Sequence, residues 1–167
     1  MAMVLAGPPN ALHMCFILRT ERPGDRWSGQ MALPGGWASS HSEPPIQAAI
    51  RETREEVGLL LDAHQHLGDL AARSIGSRGD GRPGLLSPHL FYIGEAMPAL
   101  QPEPREVADA FWIPLAHLAD PANRTTIDWY GDDSSSFPGI DYGGQVVWGL
   151  TLGIWQDFRR LLESGGD

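Results

Sequence analysis

The sequence predicts a single mixed α/β domain, and three observations favour this class. The chain has 167 residues with a hydrophobic content of 42%, which suits one domain with a substantial core. Short apolar segments typical of strands precede and follow one segment with helical periodicity. A second helical pattern closes the chain. We therefore expect a sheet packed against helices across residues 1–167, with no internal repeat and no second domain.

Charge and composition restrict the classes of function. The net charge is −9 and the chain contains no lysine, which argues against a nucleic-acid polymer as partner. A small phosphorylated molecule is compatible with this charge, because a bound metal ion reverses the local sign. Cys15 is the single cysteine, so we expect a buried free thiol. No apolar run approaches ~18 residues and no signal-peptide pattern opens the chain, so we expect a cytoplasmic protein without a membrane partner.

The first strands are expected before residue 34. Apolar runs at residues 3–6 and 12–20 have strand character, and a Gly-Pro-Pro-Asn turn at residues 7–10 separates them. A third, shorter apolar run follows at residues 31–33. These runs would supply the first part of the sheet.

Three arginines surround the loop between the second and third of these strands. Arg19, Arg22 and Arg26 lie within eight residues of one another. Solubility alone would explain any one of them. Together they could clamp phosphate or carboxylate groups of a substrate.

A helix is expected to end at Gly58 and to begin near Ser42. Ser42 can cap the helix, and Pro44 and Pro45 suit its first turn, where no amide donor is needed. Four residues at intervals of three and four form one mostly apolar stripe that should face the core. The residues of this stripe are Ile46, Ile50, Thr53 and Val57.

Three carboxylates of this helix lie on a different face. Glu52, Glu55 and Glu56 are spaced by three and four residues, so they converge within about one turn. Their repulsion suggests a cation, and oxygen ligands without cysteine or histidine favour Mg²⁺ or Mn²⁺ over zinc. The simpler alternative is a surface helix whose glutamates are bridged by Arg51 and Arg54.

Residues 35–59 resemble the Nudix box. The family pattern is Gly, five residues, Glu, seven residues, then Arg-Glu-aliphatic-any-Glu-Glu-any-Gly-aliphatic. The positions that match in register are Glu43, Arg51, Glu52, Glu55, Glu56, Gly58 and Leu59. Counting strictly back from Glu43, the first glycine position holds Trp37, so Gly36 lies one residue early. Thr53 occupies an aliphatic position, where its methyl group can still pack.

The resemblance implies a fold and a set of roles. The fold would be the Nudix α/β/α sandwich with a mixed central β-sheet. Glu52 and Glu56 would be the best-supported ligands of Mg²⁺ or Mn²⁺. Glu55 would act as a further ligand or as the general base. The Gly36 carbonyl would be a further ligand, and Arg51 would pair with a box glutamate and fix its rotamer.

Sequence outside the box also resembles this family. The run RWSGQMALPGG is similar to the approach to the box in the coenzyme A diphosphatase branch. It departs from that branch at Trp27 and Leu33. Arg19, Arg26 and Trp37 are the predicted substrate-binding residues.

A glutamate beyond the box is a further candidate. The segment 102–115 is similar to the part of Nudix proteins in which a glutamate precedes a strand ending in tryptophan, and Glu106 is the residue that matches. Such a carboxylate often completes the metal shell or orients the attacking water in the family. The alternative is a surface glutamate at the start of a strand.

The segments after the box alternate between strand and turn character. We expect strands at residues 65–75 and 88–95, with a mobile loop at residues 76–84 between them. His89 could point toward a site or cap the strand edge.

The last two segments differ in pattern. Residues 123–142 are rich in aromatic and turn residues, which fits either a loop that stacks on a substrate or a hairpin that packs on the last helix. Residues 145–162 have apolar residues at intervals of three and four, which predicts a helix facing the core.

The function implied by the resemblance is hydrolysis of a nucleoside diphosphate linked to another moiety. Coenzyme A is the first expected substrate, followed by ADP-ribose or a dinucleotide, and the protein could form a homodimer. The alternative is an inactive Nudix domain that binds a nucleotide as a sensor.

Overall fold

A mixed sheet of six strands lies at the centre of the computed structural model, which describes residues 1–25, 27–77, 83–131 and 133–165. The strands are β1 (Ala2–Ala6), β2 (His13–Arg19), β3 (Met31–Ala32), β4 (His66–Asp69), β5 (Arg73–Ser77), β6 (Pro83–Leu86), β7 (His89–Tyr92), β8 (Val107–Pro114), β9 (Arg124–Gly131), β10 (Asp133–Tyr142) and β11 (Gln145–Trp148). The helices are α1 (Pro45–Val57), α2 (Leu115–Ala119) and α3 (Gly149–Ser164), with 3₁₀ turns at Ala63–Gln65 and Pro121–Asn123.

The central sheet is mixed because β1 pairs in opposite senses with its two neighbours. It runs parallel to β7 and antiparallel to β2. The order is β3-β2-β1-β7-β4, and β8 pairs along the full length of β2. All five residues of β1 are buried, as expected for a strand covered on both faces.

Helices cover the two faces of this sheet. Val4 and Ile17 belong to one apolar cluster together with Ala49 and Val57 of α1. The alternate residues of the same strands belong to a second cluster, which contains Trp155 and other residues of α3. The predicted α/β/α sandwich with a mixed central sheet is therefore confirmed.

Helix α1 ends as predicted but begins differently. Gly58 adopts the left-handed conformation at φ 74° and its amide donates to the Arg54 carbonyl at 3.0 Å. Pro44 occupies the cap position, and the predicted capping by Ser42 is wrong, because the Ser42 hydroxyl lies 3.1 Å from that of Ser40. The segment therefore relies on proline geometry rather than a side-chain cap.

The apolar stripe of α1 faces the core as predicted. Thr53 and Val57 are fully buried, while Ile46 and Ile50 are half-buried against the same cluster. Buried Thr53 satisfies its hydroxyl by donating to the Ala49 carbonyl at 2.7 Å. Its methyl group can therefore occupy an aliphatic position.

Two predicted elements are divided. The single strand predicted at residues 65–75 is wrong, since β4 ends at Asp69 and β5 begins at Arg73. The helix predicted from residue 145 is wrong in its first turn, because residues 145–148 form β11. Val147 of this strand pairs with Ile140 of β10, and the turn into α3 is made by Gly149 at φ 57°.

Residues 123–142 form a hairpin. Strands β9 and β10 pair in antiparallel register, and β11 pairs on the other side of β10. The hairpin alternative is therefore confirmed. The predicted loop at residues 76–84 falls mainly on residues 78–82, which lie outside the described residues, and its ends belong to β5 and β6.

Two other predictions concern burial and membranes. Cys15 is a buried free thiol, as predicted, and burial raises its pKa. Among the described residues, no helix is both long enough and apolar enough to cross a lipid bilayer.

Candidate metal centre

The turn before α1 lies directly over two of its glutamates. The Gly35 amide donates to Glu56 Oε2 at 2.8 Å. A Cβ atom added at Gly36 would lie only 2.6 Å from the carboxylate carbon of Glu52. Gly36 therefore lets the backbone approach Glu52 more closely than any other residue would allow, while Gly35 adopts φ 144° and packs against Met1.

Three carboxylates converge beside this turn. Glu52, Glu56 and Glu106 each offer an oxygen, and these oxygens lie within 4.8 Å of one another. Glu106 reaches the site from the residue before β8, where its amide donates to the Glu103 carbonyl at 2.9 Å and its carbonyl accepts from the Thr20 amide at 3.0 Å. These two backbone hydrogen bonds, to Glu103 and Thr20, fix the position of Glu106 beside the other carboxylates.

Burial gives Glu56 an unusual ionisation in the metal-free protein. The residue is 3% exposed, and burial raises its pKa to about 7. The hydrogen bond from Gly35 works in the opposite direction, while the negative charge of Glu52 raises the pKa further. A cation bound here would favour the ionised form of Glu56.

Arg51 organises the carboxylates around this centre. Its guanidinium donates to Glu43, to Glu52 at 2.8 Å and to Glu55 at 2.9 Å. It also donates to the Trp37 carbonyl at 3.2 Å, so the helix is tied to the turn before it. The hydrogen bonds that Arg51 donates to Glu43 and Glu52 raise its pKa further above its ordinary value.

Glu43 holds the loop before α1 in place. Its carboxylate accepts from Arg51 and, at 2.6 Å, from the Ser39 amide. These hydrogen bonds lower the pKa of Glu43 to about 2, so it stays ionised. Glu43 therefore makes the contacts expected of a residue that stabilises the loop before the helix.

The donor set fits a hard divalent cation. The converging ligand atoms of Glu52, Glu56 and Glu106 are all carboxylate oxygens, which suits Mg²⁺ or Mn²⁺ better than zinc. The close backbone approach at Gly36 leaves space for an ion where a side chain would otherwise lie. These residues therefore fit the group that the sequence pattern implies.

Glu55, Trp37 and Arg19 are the remaining predicted site residues within the described part of the chain. Glu55 is 55% exposed and bonds Arg51, outside the group of three converging carboxylates. Trp37 lies across β6, since a Cβ atom at Gly84 would be 2.7 Å from its ring. Arg19 bonds Asp25 at 2.8 Å, and Arg26 lies outside the described residues.

One residue at the centre was missed by sequence reasoning. The Gly35 amide binds Glu56 directly, but the prediction considered only the Gly36 carbonyl. The signal that could have found it is the pair of glycines after Pro34. A Pro-Gly-Gly turn indicates close backbone approach, although it does not indicate which amide points to the carboxylate.

The sandwich and this centre define an α/β/α domain whose candidate metal site is formed by two glutamates of helix α1 and one glutamate that precedes strand β8. The model of the NUDIX domain matches residues 3–130. The chain therefore belongs to the Nudix hydrolase family, whose members generally use divalent metal ions.

Two curated relatives illustrate the similarity. The human mitochondrial coenzyme A diphosphatase NUDT8 is 31% identical over 155 residues, which cover 91% of this chain and 64% of that protein. An uncharacterized protein of Schizosaccharomyces pombe is 44% identical over 117 residues, which cover 69% of this chain and 36% of that protein. The chain thus spans about two thirds or less of the length of these relatives.

Solved structures show the same fold. A MutT/nudix family protein from Enterococcus faecalis aligns with a TM-score of 0.62 at 19% identity, covering 97% of this chain and 60% of that one. An Ap4A hydrolase from C. elegans aligns with a TM-score of 0.58 at 16% identity, covering 98% of this chain and 95% of that one.

Proposed function

We propose that this protein is a metal-dependent hydrolase of a nucleoside diphosphate linked to another moiety. The observation that carries the proposal is the convergence of Glu52, Glu56 and Glu106, whose oxygens lie within 4.8 Å of one another. One member of this set is far from the others in sequence and one is almost completely buried. An ordinary solvated helix does not need such an arrangement.

Glu52, Glu56 and Glu106 would hold Mg²⁺ or Mn²⁺, with the Gly36 carbonyl as a further ligand. When bound, the ion neutralises diphosphate charge and lowers the pKa of a bound water. Glu55 is exposed, and it shares the Arg51 guanidinium with the ligand Glu52. We therefore propose Glu55 as the base that accepts the proton of the water. Arg51, which we expected among the catalytic residues, orients Glu52 and Glu55.

Coenzyme A is the proposed first substrate. The similarity to NUDT8 over 91% of this chain supports it, together with the sequence RWSGQMALPGG before the box. ADP-ribose and dinucleotides are the next candidates, because they contain the same diphosphate linkage.

Three residues are proposed to contact the substrate. Arg19 would bind a phosphate group in exchange for its present partner Asp25. Trp37 is 47% exposed, so its ring offers an apolar surface beside the centre. Arg26 completes the set as predicted from the sequence.

A panel of substrates tests the proposal. Coenzyme A, ADP-ribose, dinucleoside polyphosphates and nucleoside triphosphates are incubated with the protein and Mg²⁺ or Mn²⁺, and the products are separated by chromatography. We expect coenzyme A to yield adenosine 3′,5′-bisphosphate and 4′-phosphopantetheine. Selective turnover of another diphosphate would keep the reaction and remove coenzyme A as substrate.

A matched variant excludes contaminating activity. Glu52→Gln keeps the size of the side chain and removes one ligand charge, so turnover should fall by about 100-fold or more while the circular dichroism spectrum is unchanged. Absence of turnover of every substrate by the folded wild type, with nucleotide binding retained, would replace the hydrolase proposal by the sensor alternative.

Two further predictions accompany the proposal. A cytoplasmic location and a homodimer are still expectations from the sequence. The human relative is named mitochondrial, so the location is best tested by imaging the tagged protein in its own cells.

A further inference from the structure

A second group of potential metal ligands lies at the edge of the central sheet. Strand β4 is the edge strand and pairs antiparallel with β7, where Asp69 lies opposite His89. The register shifts between His66 and Gly68, so Leu67 is an extra residue in the ladder. This bulge places His66 and Asp69, three residues apart, on the same face of the strand as His89.

The two imidazoles meet at one carboxylate oxygen. Asp69 Oδ1 lies 2.8 Å from His66 Nε2 and 2.6 Å from His89 Nδ1. One ligand atom from each residue lies within 4.8 Å of the other two. Ligands of a tetrahedral zinc ion with bonds of about 2.0–2.1 Å are about 3.3 Å apart, so small side-chain rotations would bring these three atoms to that spacing.

The burial of His89 is a second, independent observation. Its side chain is 7% exposed, and its Nε2 atom is buried without a hydrogen-bond partner among the described residues. Burial restricts the movement of the ring, whose Nδ1 atom is the one that faces Asp69.

The three side chains differ in their exposure to solvent. Asp69 is 58% exposed, while His66 is 24% exposed and packs on the Phe91 ring at a centroid distance of 5.3 Å. Water could therefore complete the coordination shell beside Asp69. The imidazole side of the site faces the protein interior.

We propose that His66, Asp69 and His89 bind one zinc ion at this edge of the sheet. Two imidazole nitrogens and one carboxylate oxygen suit a borderline cation, whereas the carboxylates of α1 suit a hard one. The two sites share no residue. The zinc ion joins the edge strand β4 to β7 and stabilises the bulge.

The alternative is a cluster in which both histidines donate hydrogen bonds to Asp69. That cluster accounts for the two short distances, and His89 Nε2 has no partner among the described residues in either arrangement, because Nδ1 is the ring atom that faces Asp69. The two descriptions differ in metal binding, which can be measured directly.

Zinc binding is measured on the purified folded protein, first stripped with a chelator and then dialysed against ZnCl₂ with excess Mg²⁺ to occupy the oxygen ligands. We expect one zinc ion per chain by elemental analysis. CoCl₂ in place of zinc should give the visible absorption of four-coordinate Co²⁺. Zinc at about 100 times its Kd should raise Tm by about 5–10 °C.

Variants assign this binding to the three residues. His66→Ala and Asp69→Asn should each weaken zinc binding by about tenfold or more and abolish the Tm increase. His64→Ala is the matched control, because His64 is 78% exposed in the same segment and pairs with Asp62. It should bind zinc as the wild type does, as should Glu52→Gln.

Two results would overturn the proposal. One is the absence of zinc binding by folded wild-type protein. The other is zinc binding of unchanged affinity in Asp69→Asn, a variant of the same size at an exposed position that should fold even if His66→Ala does not.

Discussion

The guanidinium of Arg51 donates to both carboxylate oxygens of Glu43, with Nε–Oε1 at 2.9 Å and Nη2–Oε2 at 3.1 Å. This bidentate pair leaves Nη1 to bond Glu52 and Glu55. One side chain therefore connects the loop before α1 to the carboxylates of the helix. Lysine carries the same charge but cannot reproduce this set of directed hydrogen bonds.

Replacing Arg51 with lysine should lower kcat with little change in KM. We expect a decrease of about 10- to 100-fold, because Glu52 and Glu55 lose the partner that fixes their rotamers. Steady-state kinetics with the substrate found in the panel measure this effect. Arg54→Lys, on the exposed side of the same helix, is the matched control and should retain wild-type kcat. Wild-type kcat in Arg51→Lys would contradict the positioning role.

Glu106 and Glu103 provide a matched pair of glutamates. Glu106 belongs to the converging carboxylates, whereas Glu103 bonds the exposed Arg105 at 2.9 Å. Glu106→Gln should therefore weaken the apparent affinity for Mg²⁺ by about tenfold or more, while Glu103→Gln should leave it unchanged. Activity measured against Mg²⁺ concentration gives both values. Equal behaviour of the two variants would remove Glu106 from the metal shell.

The sequence predicted α1 well because its signals are local. Prolines at its start, Gly58 at its end and the spacing of its apolar residues all act within a few residues. The spacing of Glu52, Glu55 and Glu56 placed all three on one face. It could not separate buried Glu56 from exposed Glu55, because this difference depends on the backbone of the preceding turn.

Tertiary contacts explain most of what the sequence did not predict. Glu106 lies close to Glu52 although more than fifty residues separate them in sequence. Only the resemblance to a family suggested Glu106 as a site residue. Val147 fits a helical stripe and a strand equally well, and its pairing with Ile140 of β10 decides for the strand. The bulge that brings His66 next to Asp69 has one local signal, Gly68, which adopts φ 150°, but a glycine within a strand does not indicate which residue is extra in the ladder.

The metal-free protein should lose stability as the pH rises from about 5 to about 7. Burial raises the pKa of Glu56 to about 7 from its ordinary value of 4.5, so between these values the folded state keeps a proton that the unfolded state has released. The cost at pH 8 is about 3 kcal/mol. Glu56→Gln removes this titration, so its free energy of unfolding should exceed that of the wild type at pH 8 and approach it at pH 5.

Urea denaturation in the presence of EDTA measures this difference. Glu55→Gln is the control, because Glu55 is 55% exposed and its replacement should leave the pH dependence of the wild type. A difference between Glu56→Gln and wild type that is the same at pH 5 and pH 8 would show that Glu56 is ionised at both.

Adding one methyl group at Gly36 should damage the centre without unfolding the protein. The Cβ atom of Gly36→Ala would lie 2.6 Å from the carboxylate carbon of Glu52, so Glu52 or the turn must move. Because Glu52 also bonds Arg51 at 2.8 Å, this movement would disturb the other carboxylates. We expect kcat to fall by about 100-fold, since displacements of about 1 Å have effects of this size.

Gly76→Ala is the control for this variant, because a Cβ atom there would have no neighbour within 4 Å among the described residues, and Gly76 is not one of the glycines with positive φ. Kinetics and thermal unfolding of both variants give the answer. Gly76→Ala should match the wild type in both measurements. If Gly36→Ala retains full kcat and Mg²⁺ affinity, the turn has room to move away from Glu52, and its close approach is not required for the reaction.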